Sequence, residues 1–155
     1  MRRIVLIMTV ALGILAAPLT ADAQQPAKVA RIGLLIGSSA SFIAPYIETF
    51  RQALRELGYV EGQNIAIEYR YAEGSYDRLP VLAADLVRLK VDIIVTEATP
   101  PTRAAKQATT TIPIVMATTG DPVGAGLVTS LPRPGGNLTG SSYFFSEIAT
   151  KRLVS

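Results

Sequence analysis

The residues able to do chemistry in this chain fall into three short clusters. The first is "GSSAS", with Ser38, Ser39 and Ser41. The second is "EATPPT", with Glu97, Ala98, Thr99 and Thr102. The third is "TTGDP", with Thr118, Thr119 and Asp121. Together they offer hydroxyls, backbone amides and two carboxylates, a set suited to hydrogen-bonding a small polar molecule. Covalent chemistry finds less support. There is no His and no Cys, which removes the commonest general base, every Ser–His–Asp arrangement, thiolate catalysis and the usual metal ligands. No metal or cofactor is expected. An enzyme on this scaffold would have to use Asp121 or Glu97 as its base, and no titratable pair shows a recognisable catalytic spacing.

Each cluster admits a plain reading beside the functional one. The serines either form a polar loop or hold a ligand by their hydroxyls. Glu97 either points to solvent or meets a ligand ammonium. Thr99 is a reasonable helix N-cap with Pro100 in the first helical position. The start of that helix would then face a carboxylate, with Pro101 removing one donor and leaving mainly Thr102 and Arg103. A zwitterion suits the pair. Asp121 before Pro122 is a common turn residue; otherwise it orders its loop through backbone N–H groups, or binds an ammonium. The aromatic residues within plausible reach are Phe42, Tyr46 and Phe144.

The third cluster opens a stretch, Met116 to Gly140, that is rich in glycine and proline. A phosphate-binding loop would need G-x-x-x-x-G-K-[ST], and no Lys is present. A dinucleotide fingerprint would need a third Gly after Gly124 and Gly126. "GSSAS" is not the G-x-S-x-G of a hydrolase elbow. "NLT" at 137–139 matches a glycosylation sequon, a weak signal here.

The elements that must position these clusters alternate strand and helix. "VARIGLLI" (29–36) is a near-continuous apolar run, expected of a parallel strand buried on both faces. Ile43, Ile47, Phe50, Leu54 and Leu57 recur at helical spacing, and Gly58 sits where a left-handed C-terminal cap belongs. "NIAIEYRYA" alternates strictly and predicts an edge strand. Ser75 or Asp77 is expected to cap the next helix, whose apolar stripe is Leu79, Leu82, Ala83, Leu86 and Leu89. "VDIIVT" and "IPIVMAT" are buried strands separated by a short helix, about 102–108. Leu127, Val128 and Leu131 read as one turn of packed helix, and a last short strand is expected around 138–143. Such alternation predicts an α/β fold: a doubly wound parallel sheet of about five strands in order 2-1-3-4-5. Ligands bind such sheets beyond the carboxyl ends of the strands, where the order reverses. All three clusters lie on loops at that edge.

Composition agrees with one ordinary domain: 155 residues, 49% hydrophobic, 17% charged, net charge +3. The basic residues are scattered, so no nucleic-acid partner is expected. Arg2 and Arg3, the apolar run 4–17 and "ADA" at 21–23 read as a cleaved signal peptide. No Cys follows to carry a lipid anchor. Residues 24–30 read as a flexible N-terminal tail.

"IPIVMATTGDPVGAGLVTSLPRPGGNLTG" closely resembles the signature of bacterial ABC-transporter substrate-binding proteins of the tryptophan/tyrosine type. "FRQALRELGYVEGQNIAIEYRYAEG" and "LAADLVRLKVDIIV" resemble the same family, so the likeness runs from about Arg31 to Leu153. It implies one lobe of a type I periplasmic binding protein fold, with a solute held between two lobes that close over it. It further implies an exported periplasmic protein that captures a small, amino-acid-like solute for a membrane permease and its ATPase. A ligand sensor docking on a membrane receptor is the alternative. The family usually has Gly near position 98 and a small residue near 101, where this chain has Ala98 and Pro101. On this reading 31–145 is the N-terminal lobe and 146–155 the truncated start of the next helix. The C-terminal lobe would be missing, and weak or absent ligand binding is expected of the isolated chain.

Overall fold

A computed structural model describes residues 29–142. The signal peptide, most of the tail, Phe144 and the helix start at 146 lie outside the described residues. Five strands form one parallel sheet in the order β2-β1-β3-β4-β5, as the alternation predicts. They are β1 (Ala30–Ile36), β2 (Ile65–Tyr71), β3 (Ile93–Glu97), β4 (Ile114–Thr119) and β5 (Leu138–Ser142), connected through helices α1 (Ala40–Glu56), α2 (Leu79–Arg88) and α3 (Thr99–Ala108). The order reverses between β1 and β3, which pair in register from Ile32↔Ile93 to Leu35↔Thr96.

Side-chain alternation along β1 divides the core. Leu35 faces α2 and α3, joining Leu86, Ile94, Ala105 and Ile114 in the larger cluster. Leu34 and Ile36 face α1 and meet Ile43, with Ile47 and Phe50 packed against them. The apolar stripe of α1 is therefore Ile43, Ile47 and Phe50, while Leu57 at its end is exposed. Gly58 ends α1 at φ +86°. Its N–H bonds the carbonyl of Arg55 at 2.9 Å, and that of Tyr59 bonds Leu54 at 2.8 Å, the paired pattern of a Schellman cap.

Two local expectations are corrected. Neither Ser75 nor Asp77 caps α2. A 3₁₀ turn, Tyr76–Arg78, leads straight into it, so Arg78 in helical conformation precedes Leu79 and no side-chain cap is made. Between β4 and β5 there is a run of turns rather than a packed helix. Leu127 and Val128 are buried as anticipated, but Leu131 is exposed. Asp121 explains the outcome. Its Oδ1 accepts from the N–H of Val123 at 3.0 Å and of Gly124 at 2.9 Å, which starts one turn. Gly126 at φ +69° ends it, since left-handed backbone cannot propagate a helix.

An ion pair ties β2 to α2. Arg70 Nε donates to Asp85 Oδ2 at 2.6 Å, and Arg88 reaches the other carboxylate oxygen. The hydrogen bond from Arg70, followed by the charges of Arg70 and Arg88, holds the Asp85 carboxyl below its ordinary value. A group depressed in the folded state is protonated more readily in the unfolded chain. Its contribution is therefore complete above the ordinary aspartate range and lost as pH falls through the depressed value. Thermal melts in acid should show the midpoint falling over that window, and Asp85→Asn should flatten this limb. Among the described residues no helix is long and apolar enough to cross a membrane.

Candidate functional site

At the carboxyl ends of β1, β3 and β4 the structure brings the three clusters to one edge of the sheet. The centre is Glu97, the last residue of β3. Its Oε2 accepts from Gly37 N at 3.1 Å and from Ser38 N and Ser38 Oγ, each at 3.4 Å. Glu97 is half-buried. It does not point to solvent; it bridges the switch point and holds the β1–α1 loop. Ser39 is the N-cap of α1, its Oγ accepting from Phe42 N at 3.3 Å and lying 3.2 Å from the exposed Ser41 hydroxyl.

Ala98, rather than Thr99, is the N-cap of α3, at φ +67° and ψ 171°. That region is essentially confined to glycine, and occupying it costs about 1–3 kcal/mol. The conformation turns Ala98 N onto the Thr118 carbonyl at 2.7 Å, where the β3–β4 register shifts. It also presents the Ala98 carbonyl to Thr102 Oγ1 at 2.8 Å. Ala98→Gly should therefore raise the unfolding midpoint. Relief of the strain outweighs the added freedom of the unfolded chain, for a net gain of about 1 kcal/mol, readable by urea denaturation.

Thr102 is fully buried. Its hydroxyl lies 2.7 Å from Thr96 Oγ1, so both of its contacts are internal and it does not reach the edge. The helix start also differs from the expected anion site. Thr99, Pro100 and Pro101 are its first three residues, and the prolines carry no N–H. Thr102 N already donates to the Ala98 carbonyl at 3.4 Å.

Thr118 is half-buried at the edge. Thr119 is 1% exposed, and its hydroxyl is the single buried side-chain polar atom without a hydrogen-bond partner among the described residues. Asp121 is exposed, its carboxylate turned onto its own loop as described. That loop is clamped by α3, because Arg103 donates to the Ala125 carbonyl at 3.0 Å and Lys106 to that of Leu127 at 2.6 Å.

An open cavity of about 370 Å³ lies beside α1. Leu34, Ile36 and Val95 form its floor, and Ile43, Ile47 and Phe50 its helical wall. Its rim is Phe42, Tyr46, Glu97, Ala117 and Thr118. Phe42 and Tyr46 are 64% and 65% exposed, and their ring centroids lie 6.4 Å apart. Sequence reasoning anticipated the two rings near the cleft. It did not find Thr96, or the Glu97 bridge to amides 59 and 60 residues away, a pairing with no short-range signal.

Known proteins share the sequence and the fold. Residues 40–153 match the family model described as ABC transporter substrate binding protein. A tyrosine-binding protein of Clostridioides difficile (strain R20291) is 42% identical over 105 residues, which are 68% of this chain and 30% of that protein. Among solved structures, the ABC domain in complex with L-Trp from Streptococcus pneumonia is 34% identical with a TM-score of 0.67, covering 73% of this chain and 38% of that one. A ligand-free, open substrate binding protein with adhesive properties from Clostridium difficile is 32% identical with a TM-score of 0.73, covering 81% and 43%. The chain thus spans about a third of the curated relative and less than half of these solved relatives. With the sheet order and these likenesses in agreement, the chain belongs to the ABC transporter substrate binding protein family.

Proposed function

We propose that this chain supplies the first lobe of the solute-capturing component of an ABC import system, and that its solute is a small aromatic amine of amino-acid type. One observation carries the reading. A cavity at the topological switch point has an apolar floor, two exposed aromatic rings and one carboxylate on its rim. Solute sites are mostly apolar clefts with a few convergent polar groups. Phe42 and Tyr46 would stack on the ring of the solute. Glu97, Thr118 and the Ser38–Ser41 loop would orient its polar end. Ala98 and Thr99 shape that edge, with Thr119 and Asp121 behind it. The L-Trp complex and the tyrosine-binding relative support the solute class. On this reading the protein is exported to the periplasm by its leader, binds without chemistry on the solute, and delivers it to a permease with its ATPase.

Isothermal titration of the complete gene product with L-tyrosine, L-tryptophan and L-leucine tests the proposal. We expect micromolar or tighter binding of an aromatic member, weakened about tenfold or more by Phe42→Ala. Failure of all three to bind, or an affinity unmoved by Phe42→Ala and Tyr46→Ala together, would overturn it.

A further inference from the structure

Resting on that reading, we infer that this lobe recognises its solute through the amine, which sits at Glu97 Oε1 rather than at either helix start. A helix start offers the free N–H groups of its first turn to an anion, and two helix starts open onto this edge. Both are largely spent. In α3 the second and third residues are Pro100 and Pro101, and Thr102 N is bonded to Ala98, which leaves Thr99 N. At the start of α1 the chain supplies its own acceptors. Glu97 takes Gly37 N and Ser38 N, Glu73 Oε1 takes Ala40 N at 3.3 Å, and Ser39 Oγ takes Phe42 N, which leaves Ser39 N and Ser41 N.

The charges point the same way. Glu97 is the single charged residue lining the cavity among the described residues. The nearby cations of α3, Arg103 and Lys106, are committed to the carbonyls of the 125–127 turn. All three hydrogen bonds to Glu97 fall on Oε2, and Oε1 has no partner among the described residues. An ammonium seated between that oxygen and the faces of Phe42 and Tyr46 would gain both ionic and cation–π attraction. A carboxylate in the same place would meet the charge of Glu97 instead. Any carboxylate on the solute is therefore held away from Glu97.

The test compares L-tyrosine, tyramine and 3-(4-hydroxyphenyl)propionate, by competition, on the complete gene product and on Glu97→Gln. Glutamine keeps an oxygen for Gly37 N, so the loop stays closed, and an unchanged melting midpoint verifies this. We expect Glu97→Gln to weaken both amines by about tenfold or more and the propionate by less than about threefold. In a second arm, Pro100→Ala restores one N–H. It should strengthen L-tyrosine by about two- to fivefold and leave tyramine unmoved. An equal loss for all three probes in Glu97→Gln, or no loss for the amines, overturns the inference while the aromatic solute reading stands. If none of the probes binds the unaltered protein and L-tryptophan also fails to bind, that reading fails and the inference with it; if L-tryptophan alone binds, the same comparison is made with L-tryptophan, tryptamine and 3-indolepropionate.

Discussion

Replacing Gly140 by alanine is expected to destabilise the domain by about 3 kcal/mol or more, among the largest effects of any single methyl in this chain. Gly140 lies in β5 opposite Met116 of β4, at φ +134°. A Cβ there would sit against the carbonyl oxygen and amide nitrogen of Met116. These are backbone atoms within a ladder and cannot rotate aside as a side chain can. The strand must either leave the ladder or carry a backbone conformation that L residues avoid. Against a typical total of about 5–15 kcal/mol, that loss would lower the melting midpoint by roughly 10 °C. Gly135 provides the control. It also has positive φ, +72°, but nothing lies within 4 Å of its missing Cβ. Gly135→Ala should cost about 1 kcal/mol. Equal effects at the two positions would show that close approach of β4 is not the cause.

Truncating Leu86 to alanine should cost about 3–4 kcal/mol, toward the upper part of the range for buried leucines. Leu86 is fully buried, and the reason for the large value lies across from it. A Cβ built on Gly33 of β1 would meet Leu86 Cδ2 at 3.0 Å and Val91 Cγ2 at 3.2 Å. With no side chain on Gly33, the leucine fills the space above the strand. The cavity left by truncation is floored by backbone, which cannot move in to fill it. The same geometry predicts coupling. Gly33→Ala alone overpacks the contact, but in the Leu86→Ala background it should recover part of the loss. Urea unfolding of the four proteins in the cycle gives the interaction energy. Additive effects would show that the two residues do not share this space.

Much of the architecture was legible because it rests on local periodicity. The apolar run of β1, the strict alternation of β2 and the helical stripe of α1 lead to a parallel sheet, and the handedness of crossovers narrows its order. Gly58 was legible for the same reason, since a glycine just past a helical pattern has one obvious use. The departures share a different cause. Nothing about an alanine announces positive φ, so Ala98 displaced Thr99 as the cap and changed what the start of α3 can bind. Glu97 reads as an ordinary strand-end carboxylate until the fold brings the β1–α1 loop to it. The turn after β4 was misread as helix because Leu127, Val128 and Leu131 fall at helical spacing, of which only the first two are buried. Asp121 and the two glycines beside it decide the backbone, and burial alone does not. The positions of the site clusters were thus accessible from topology, whereas the partners of their side chains depended on contacts between residues far apart in the chain.

The Glu97 bridge also sets how the switch point breathes. Gly37 N and Ser38 N lie just ahead of a helix, where amides ordinarily exchange with solvent as the first turn frays. Here their acceptor belongs to a different strand, so unwinding α1 does not release them. Their hydrogen–deuterium exchange should follow the slow opening of β3 from β1 and resemble that of Ile94 more than that of α1. Glu97→Ala should convert both amides to fast exchange while the interior of the sheet stays protected. Such a pattern would mark the loop beside the cavity as part of the cooperative body of the sheet, and so as a preformed wall for whatever the cavity receives.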